Sequence, residues 1–283
     1  MAARVGVIGG SGVYHFENVE YYDEVELDTP YGKPSDAIRL GTLAGRDLAF
    51  LPRHGRTHRY NPSHVPFAAN IYAFKKLEVE WVIALNAVGS LKAQMQPLDL
   101  VFPDQIIDRT RSRMNTFFDP IAVHVGFAEP FCENLRRILI QSAEECGLVI
   151  HKNGTYVCME GPLFSTKAES HLYRSWGADL IGMTVLPEAK LAREAEMCYA
   201  AIASVTDYDC WHEEIVDIQM VIQNLTKNAE NVKKVVQRAI PNIPVSRKGD
   251  PCASALANAL ISKREDFPPE RREAFEFLLK KYL

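Results

Sequence analysis

The sequence predicts an α/β fold, a single domain in which helices flank a mixed, mostly parallel central sheet. Short runs of aliphatic and β-branched residues alternate with stretches whose apolar residues recur at helical spacing. Strands that alternate with helices build layered folds with largely parallel sheets. No linker divides the 283 residues before the tail, so we assign residues 1–283 to one domain, with 241–283 as a C-terminal helical tail.

In the first half of the chain, apolar runs that end in glycine or polar residues predict most of the strands. These strands span residues 4–8, 37–43, 46–51, 81–85 and 98–107. Ala44-Gly45 joins the second and third of them, which is typical of a hairpin. Between the third and fourth strands, apolar residues at helical spacing predict a helix over 66–77.

The second half of the chain carries more helix, and its helix ends are marked by glycine and proline. Gly147 and Gly177 follow two predicted helices, where glycine ends a helix most readily, and Pro187 begins another. The predicted helices span 131–146, 167–176, 187–196, 217–238, about 252–263 and about 269–282. The predicted strands span 155–159, 179–182 and 199–205.

Composition excludes several classes of protein. The formal net charge of −4 argues against broad nucleic-acid binding, which needs a basic surface. No window is long and apolar enough to span a membrane, and we recognise no signal peptide. The six cysteines include no C-x-x-C pair, so we expect reduced thiols in a cytoplasmic protein and no metal.

Two loops after predicted strands could bind an anion. Gly9-Gly10-Ser11-Gly12 offers backbone N–H groups and a hydroxyl, although a tight strand-to-helix turn explains it equally well. A dinucleotide loop fits poorly, because the third glycine position falls on His15. Arg53 and His54 suit phosphate, although alone they also fit a solvated basic loop.

Three further segments end predicted strands and are candidates for a ligand crevice. Asn86 and Ala87 begin a stretch of small residues, which also fits a plain turn. Asp207 and Asp209 would share one face of an extended segment, where mutual repulsion raises one pKa and keeps a proton available. A solvated turn or a helix cap is the alternative for this pair. Met183-Thr184 closes a short strand, where methionine is more often core.

Long blocks of the sequence resemble the trimeric purine-nucleoside phosphorylases, and most of all the members that cleave 5′-methylthioadenosine. The matching blocks keep the family's order over roughly residues 5–240. They are VIGGSGVY (7–14), TPYGKPSDA (29–37), PRHGR (52–56), NAVGSL (86–91), MEGPLFSTKAES (159–170), WGADLIGMT (176–184) and TDYDCW (206–211).

The resemblance implies a role for each candidate residue. It places phosphate at Ser11, Arg53, His54, Asn86, Ala87 and Thr184, the ribose at Met183, and the base at Asp207, Asp209 and Ser165. It also implies a homotrimer in which His124 reaches a neighbouring subunit's site. The expected partners are a small nucleoside and inorganic phosphate, with no cofactor and no metal.

The base and sugar pockets indicate which nucleoside is bound. Adenine presents an amino donor at C6 and an unprotonated N7, which two aspartates at 207 and 209 can match. Aliphatic Ile215 and Ile218 suit a 5′-methylthio group. Asn86 departs from this pattern, because methylthioadenosine enzymes of the family usually carry threonine there and asparagine looks more like the relatives that cleave inosine or guanosine. The tail beyond Ile240 matches the family poorly.

The expected reaction is phosphorolysis of S-methyl-5′-thioadenosine to adenine and 5-methylthioribose 1-phosphate, with Asp207 protonating N7. The nearest alternative is the same fold acting on a 6-oxopurine nucleoside, namely methylthioinosine, inosine or guanosine. Two alternatives from other classes are a dinucleotide-binding oxidoreductase and a nucleoside-binding protein without catalytic activity.

Overall fold

The computed structural model describes residues 4–212 and 218–283, which form an α/β fold. The strands are β1 (Arg4–Gly9), β2 (Glu20–Val25), β3 (Ile38–Leu43), β4 (Arg46–Pro52), β5 (Val79–Ser90), β6 (Leu100–Val101), β7 (Gln105–Arg109), β8 (Ile150–His151), β9 (Thr155–Met159), β10 (Leu180–Gly182) and β11 (Cys198–Tyr208). The α-helices are α1 (Phe67–Lys76), α2 (Glu133–Glu145), α3 (Lys167–Ser175), α4 (Glu188–Glu194), α5 (Ile218–Ala239) and α6 (Arg272–Leu279).

The strands form one mixed sheet that is mostly parallel, as the sequence predicted. At its centre β1 runs parallel to both β4 and β5, and β11 runs parallel to β5 along almost its whole length. The antiparallel pairs are β2 with β3, β3 with β4, β5 with β10, and β6 with β11. The parallel pairing brings the carboxyl ends of β1, β4, β5 and β11 to one edge of the sheet.

Two apolar layers cover the two faces of this sheet. Trp81 and Ile83 of β5 pack on the side of α2 and α5, in a cluster that contains Leu135 and Val235. Val82, the residue between them, faces the opposite cluster, which is built with side chains of α1, α4 and α6. Each fully buried aliphatic side chain contributes about 1.5–3 kcal/mol. Among the described residues, no helix is both long enough and apolar enough to cross a bilayer.

Two strands are longer than the sequence predicted, and both carry candidate site residues. β5 continues through Ser90, and β11 continues to Tyr208. The two strands pair in register up to the last residue of each, with an irregularity between Val205 and Asp207. The small polar residues that we expected in loops therefore sit on strands, because the neighbouring strand supplies their main-chain hydrogen bonds.

The predicted hairpin at Ala44-Gly45 is confirmed. Leu43 pairs with Arg46, and the two turn residues have φ of 50° and 75°. The strand region predicted over 98–107 contains two strands, β6 and β7, which pair with different neighbours. β2 and β8 were not predicted, and β2 is a mostly exposed edge strand without an apolar run.

The helix predicted at about 252–263 is also wrong. A short 3-10 turn spans Pro251–Ser254, and Asn258 then adopts φ of 61°, which ends any helical path. Leu260 forms a bridge with Val123, and the N–H of Ile261 donates to Ala122. Hydrogen bonds to the body of the protein thus replace those of a helix. The final helix is present as α6.

Candidate active site

A cavity of about 280 Å³ opens at the edge where the central parallel strands end. It collects residues from separate segments that the sequence singled out, and it also takes side chains from α5. The lining includes Gly10, Ser11, Arg53, His54, Ala87, Ser165, Met183, Thr184, Asp207, Asp209, Val221 and Leu225.

The glycine loop after β1 lies close to neighbouring main chain. A Cβ on Gly10 would come within 2.3 Å of the carbonyl oxygen of Leu85, so only glycine fits there. Ser11 follows it and lines the cavity. The alternative of a strand-to-helix turn is wrong, since residues 10–19 are described and contain no helix. The hypothesis of a dinucleotide-binding loop is weakened for the same reason, because such a loop leads into the N-terminus of a helix that binds the phosphates.

Arg53 is completely buried at the end of β4 and forms a bidentate ion pair with Glu188. Its Nε and Nη2 donate to the two carboxylate oxygens at 2.8 Å each, and Nη1 donates to the carbonyl of Leu85. Glu188 also accepts from the hydroxyl of Tyr199 at 2.9 Å. A guanidinium has five N–H donors, so these bonds leave two of them unused, and Arg53 is among the residues that line the cavity.

His54 is a neutral imidazole with an assigned tautomer. Burial, reinforced by the charge of Arg53, lowers its pKa to about 4. Its Nδ1 lies 2.8 Å from the carbonyl oxygen of Tyr60, which can only accept, so Nδ1 carries the proton. Nε2 is therefore an acceptor. His54 can take a hydrogen bond from a P–OH group and cannot donate one to phosphate from its ring at neutral pH.

Asn86 differs from the other predicted phosphate residues, because it is buried behind the cavity and does not line it. Its Nδ2 donates to the hydroxyl oxygen of Thr184 at 2.9 Å. Thr184 lines the cavity, and accepting this bond leaves its own hydroxyl proton free to donate. Asn86 is thus placed to orient Thr184.

The two predicted aspartates line the same cavity at the end of β11. Asp209 is 7% exposed, and its Oδ1 accepts from the hydroxyl of Ser165 at 3.3 Å. Its Oδ2 is buried and finds no donor among the residues that the structure describes. A Cβ on Gly89 would come within 3.3 Å of Asp207 Oδ1, so the absence of a side chain there leaves room for the carboxylates.

Asp207 has a pKa raised to about 6. Burial is the main cause, the hydrogen bond from the Thr206 hydroxyl at 2.6 Å opposes it, and the charge of Asp209 adds to it. The sequence suggested repulsion between the carboxylates as the cause, but desolvation is the larger effect. An aspartate with this pKa keeps a useful protonated fraction near neutral pH, as a general acid requires.

The remaining walls are largely apolar. Met183 packs against Gly161, where a Cβ would come within 2.5 Å of its sulfur and where φ is 72°. Arg113 holds the Met183 segment, since its guanidinium donates to the carbonyls of Met183 and Leu186. Val221 and Leu225 of α5 form the wall contributed by that helix.

Two predicted substrate residues are not among the residues that line this cavity. His124 is exposed and lines a separate cavity. Its main-chain N–H donates to the carbonyl of Ala259. Ile215 lies outside the described residues, and so does the side chain of Ile218.

Sequence reasoning missed Glu188, Arg113, Val221 and Leu225. The last two could have been found, because they lie three and seven residues after Ile218 on one face of the clearest helical pattern. Glu188 carried no signal, since nothing in the sequence shows that it lies beside Arg53.

Comparisons with known proteins agree with this geometry. A profile described as the phosphorylase superfamily matches residues 4–241. An S-methyl-5′-thioadenosine phosphorylase of Koribacter versatilis is 50% identical over 100% of this chain and 97% of its own length. The same enzyme of Gloeobacter violaceus is 51% identical over 99% of this chain and 96% of its own.

Solved structures show the same fold. A methylthioadenosine phosphorylase from an antarctic soil metagenomic library superposes with a TM-score of 0.93 at 46% identity, covering 98% of this chain and 99% of the other. A methylthioadenosine phosphorylase from Schistosoma mansoni in complex with adenine gives 0.86 at 34% identity, covering 92% and 99%. Since the profile spans most of the chain and near-complete relatives are about half identical, the chain belongs to the phosphorylase superfamily.

Proposed function

We propose that this protein is a pentosyltransferase that cleaves S-methyl-5′-thioadenosine with inorganic phosphate. The products are adenine and 5-methylthioribose 1-phosphate, so the reaction serves purine and methionine salvage. The proposal rests on the site and on relatives of about 50% identity whose names give this activity.

The observation that carries the choice of base is the free oxygen of Asp209. A buried carboxylate oxygen without a donor costs about 1–3 kcal/mol or more, and the described protein residues supply none. The amino group of a 6-aminopurine would supply it, whereas a 6-oxo group would repel it. Asn86, which suggested a 6-oxopurine, lies behind Thr184 and supports no choice of base.

We place phosphate at the other end of the cavity, between the glycine loop, the free N–H groups of Arg53, and Thr184. These groups are donors that would stabilise a dianion in a largely buried site. Ala87 leaves space for the ligand, and Nε2 of His54 would accept from the one P–OH group of the hydrogen phosphate dianion.

In the proposed mechanism the C1′–N9 bond breaks ahead of phosphate attack, which leaves cationic character on the ribose. Phosphate is both nucleophile and counter-charge. Asp207 donates its proton to N7, so that the electron pair of the broken bond leaves with a neutral adenine. Asp209 accepts from the 6-amino group, and no cofactor takes part.

The apolar side chains of the cavity suit the sugar and its 5′ substituent. Met183 would pack on the ribose, and Val221 and Leu225 would contact the methylthio group. An unpaired 5′-hydroxyl at this apolar wall would cost about 1–3 kcal/mol, so methylthioadenosine should be preferred over adenosine.

We further propose that the chain acts as a single-domain subunit of a cytoplasmic homotrimer, without nucleic-acid or membrane partners. The homotrimer rests on the resemblance to the trimeric phosphorylases, in which the residue matching His124 reaches a neighbouring subunit's site. In this chain His124 is exposed and lies apart from the cavity of its own chain, which is compatible with that role.

The deciding experiment measures kcat/KM for methylthioadenosine, methylthioinosine, adenosine and inosine at saturating phosphate. Methylthioadenosine should be the best substrate, and release of base should require phosphate. A preference for methylthioinosine would overturn the proposed base. Binding without phosphate-dependent release of base would indicate a binding protein, and tight binding of NAD would indicate an oxidoreductase.

A further inference from the structure

Three of the six cysteines meet an aspartate in the apolar layer between the sheet and the helices α2 and α5. Cys132, Cys198, Cys252 and Asp250 are all buried, and one potential ligand atom of each lies within 4.8 Å of all the others. None of them lines the cavity described above. The proposed phosphorolysis therefore has no use for this cluster.

The four residues come from three separate parts of the fold. Cys132 precedes α2, and its N–H donates to the carbonyl of Tyr199, which brings it beside Cys198 at the start of β11. Asp250 caps the 3-10 turn that contains Cys252, in the C-terminal tail. The cluster thus joins the tail to the central sheet.

The carboxyl group of Asp250 is held in one orientation. Its Oδ2 accepts from Asn134 Nδ2 at 2.9 Å and lies 3.4 Å from Cys132 Sγ, and its Oδ1 accepts from the N–H of Cys252 at 3.0 Å. Such donors favour an ionised carboxylate. Nevertheless no lysine or arginine within the described ranges forms an ion pair with it, which leaves a buried negative group among thiols without a cation.

A divalent cation with affinity for sulfur fits these atoms. Zn²⁺ binds both thiolate sulfur and carboxylate oxygen, so three thiolates and one carboxylate oxygen supply the four ligands of a tetrahedral site. Tetrahedral Zn–S bonds of about 2.3 Å put the sulfurs roughly 3.8 Å apart. The four ligand atoms here lie within 4.8 Å of one another, so small side-chain movements would bring them to that spacing. Carboxylates that bind a metal usually accept a hydrogen bond from a second group, as Asp250 does from Asn134.

We propose that Cys132, Cys198, Cys252 and Asp250 bind one structural Zn²⁺ ion, which fastens the C-terminal tail to the sheet. The thiols lose their protons to solvent on binding, and no oxidation takes place. The sequence suggested no metal because no two of these cysteines are close enough along the chain to form a recognised motif.

The test uses the full chain, expressed in zinc-supplemented medium and purified in a reducing buffer without chelator. Elemental analysis of the wild type should give about one zinc per chain. After removal of zinc, Co²⁺ should restore the absorption of a tetrahedral thiolate site. These measurements do not depend on any variant folding, and neither involves phosphorolysis, so they stand apart from the proposed function.

Cys252→Ser should lose most of the zinc, and a chelator should lower the Tm of the wild type but not of this variant. Cys146→Ser is the matched control, because Cys146 directly follows α2, lies outside the cluster and is only half-buried. It should keep both the zinc and the response to chelator. Wild-type protein that takes up neither Zn²⁺ nor Co²⁺, equal zinc in both variants, or a disulfide between two cluster cysteines in native protein would each overturn the proposal.

Discussion

Arg53 and Glu188 form an ion pair that is wholly removed from solvent, with two hydrogen bonds of 2.8 Å. Removing one partner of such a pair costs about 3–5 kcal/mol, because it leaves the other charge buried and unpaired. Arg53→Ala would therefore confuse a loss of stability with a loss of phosphate binding. A substitution that keeps the positive charge beside Glu188 is therefore the better test of phosphate binding.

Arg53→Lys should raise the phosphate KM by roughly 10- to 100-fold while the nucleoside KM changes little. Lysine keeps the charge, but it lacks the planar fork that can serve Glu188 and phosphate together. Losing one charge-assisted hydrogen bond costs about 1.5–3 kcal/mol. Initial rates with each substrate varied in turn give the two constants. Equal effects on both would remove Arg53 from the phosphate site.

The bond from Asn86 to Thr184 predicts an unequal response to two substitutions. In Asn86→Asp the carboxylate would accept from the Thr184 hydroxyl, which turns the proton away from phosphate and adds a negative charge. The phosphate KM should rise about tenfold or more. Asn86→Thr should have the smaller effect, since threonine keeps a hydroxyl donor. If Asn86→Asp leaves the phosphate KM unchanged, Asn86 does not orient Thr184.

The raised pKa of Asp207 predicts that the stability of the fold falls as the pH rises from about 4 to about 6 and stays lowered above that. The folded state keeps this proton up to about pH 6, whereas the unfolded chain releases it near its ordinary value of 3.8. Between these values the unfolded state binds fewer protons, so stability falls as the pH rises. The free energy of unfolding of Asp207→Asn should therefore exceed that of the wild type by about 1–3 kcal/mol at pH 7–8. Below pH 4 the two proteins should be equally stable.

Denaturant unfolding of both proteins at several pH values measures this difference. The same variant should lose most of its kcat, because asparagine cannot protonate N7. A variant that is active but no more stable would contradict both the raised pKa and the role of Asp207 as the acid.

The free oxygen of Asp209 predicts a switch of base. Asp209→Asn still offers an oxygen, but it adds an NH₂ donor that a 6-oxo group can use. The ratio of kcat/KM for methylthioadenosine over methylthioinosine should fall by about 1–3 kcal/mol, or roughly 5- to 150-fold. Both substrates are measured on wild type and variant at saturating phosphate. An unchanged ratio would show that Asp209 does not read position 6.

The proposed role of His124 in a neighbouring subunit's site predicts complementation between subunits. Asp207→Ala and His124→Ala should each be largely inactive. Mixed under conditions that allow subunit exchange, they should regain part of the activity, because some sites in hybrid trimers combine two intact contributions. Labelled subunits check that exchange occurs. Exchange without any recovery would mean that each chain builds its site alone.

Local sequence patterns determined much of this protein. The alternation of apolar runs and helical periods was enough for the layered fold, and Ala44-Gly45 was enough for the hairpin. The individual strands and helices and the hairpin depend on residues that are close in the chain, and the order of strands and helices then limits the folds that they can form. The placement of Ser11, Arg53 and Asp207 at strand ends also followed, because parallel strands present their carboxyl ends at one edge.

Only the tertiary structure decided what each candidate side chain touches. It put Asn86 behind Thr184, assigned the tautomer of His54 through a carbonyl of Tyr60, and paired Arg53 with a glutamate 135 residues away. It also replaced the helix predicted at about 252–263 by a docked segment that carries Cys252 to Cys132. Hydrogen bonds and burial between distant segments outweigh local propensity here. The pattern of residues along the chain does not show which distant side chains come into contact.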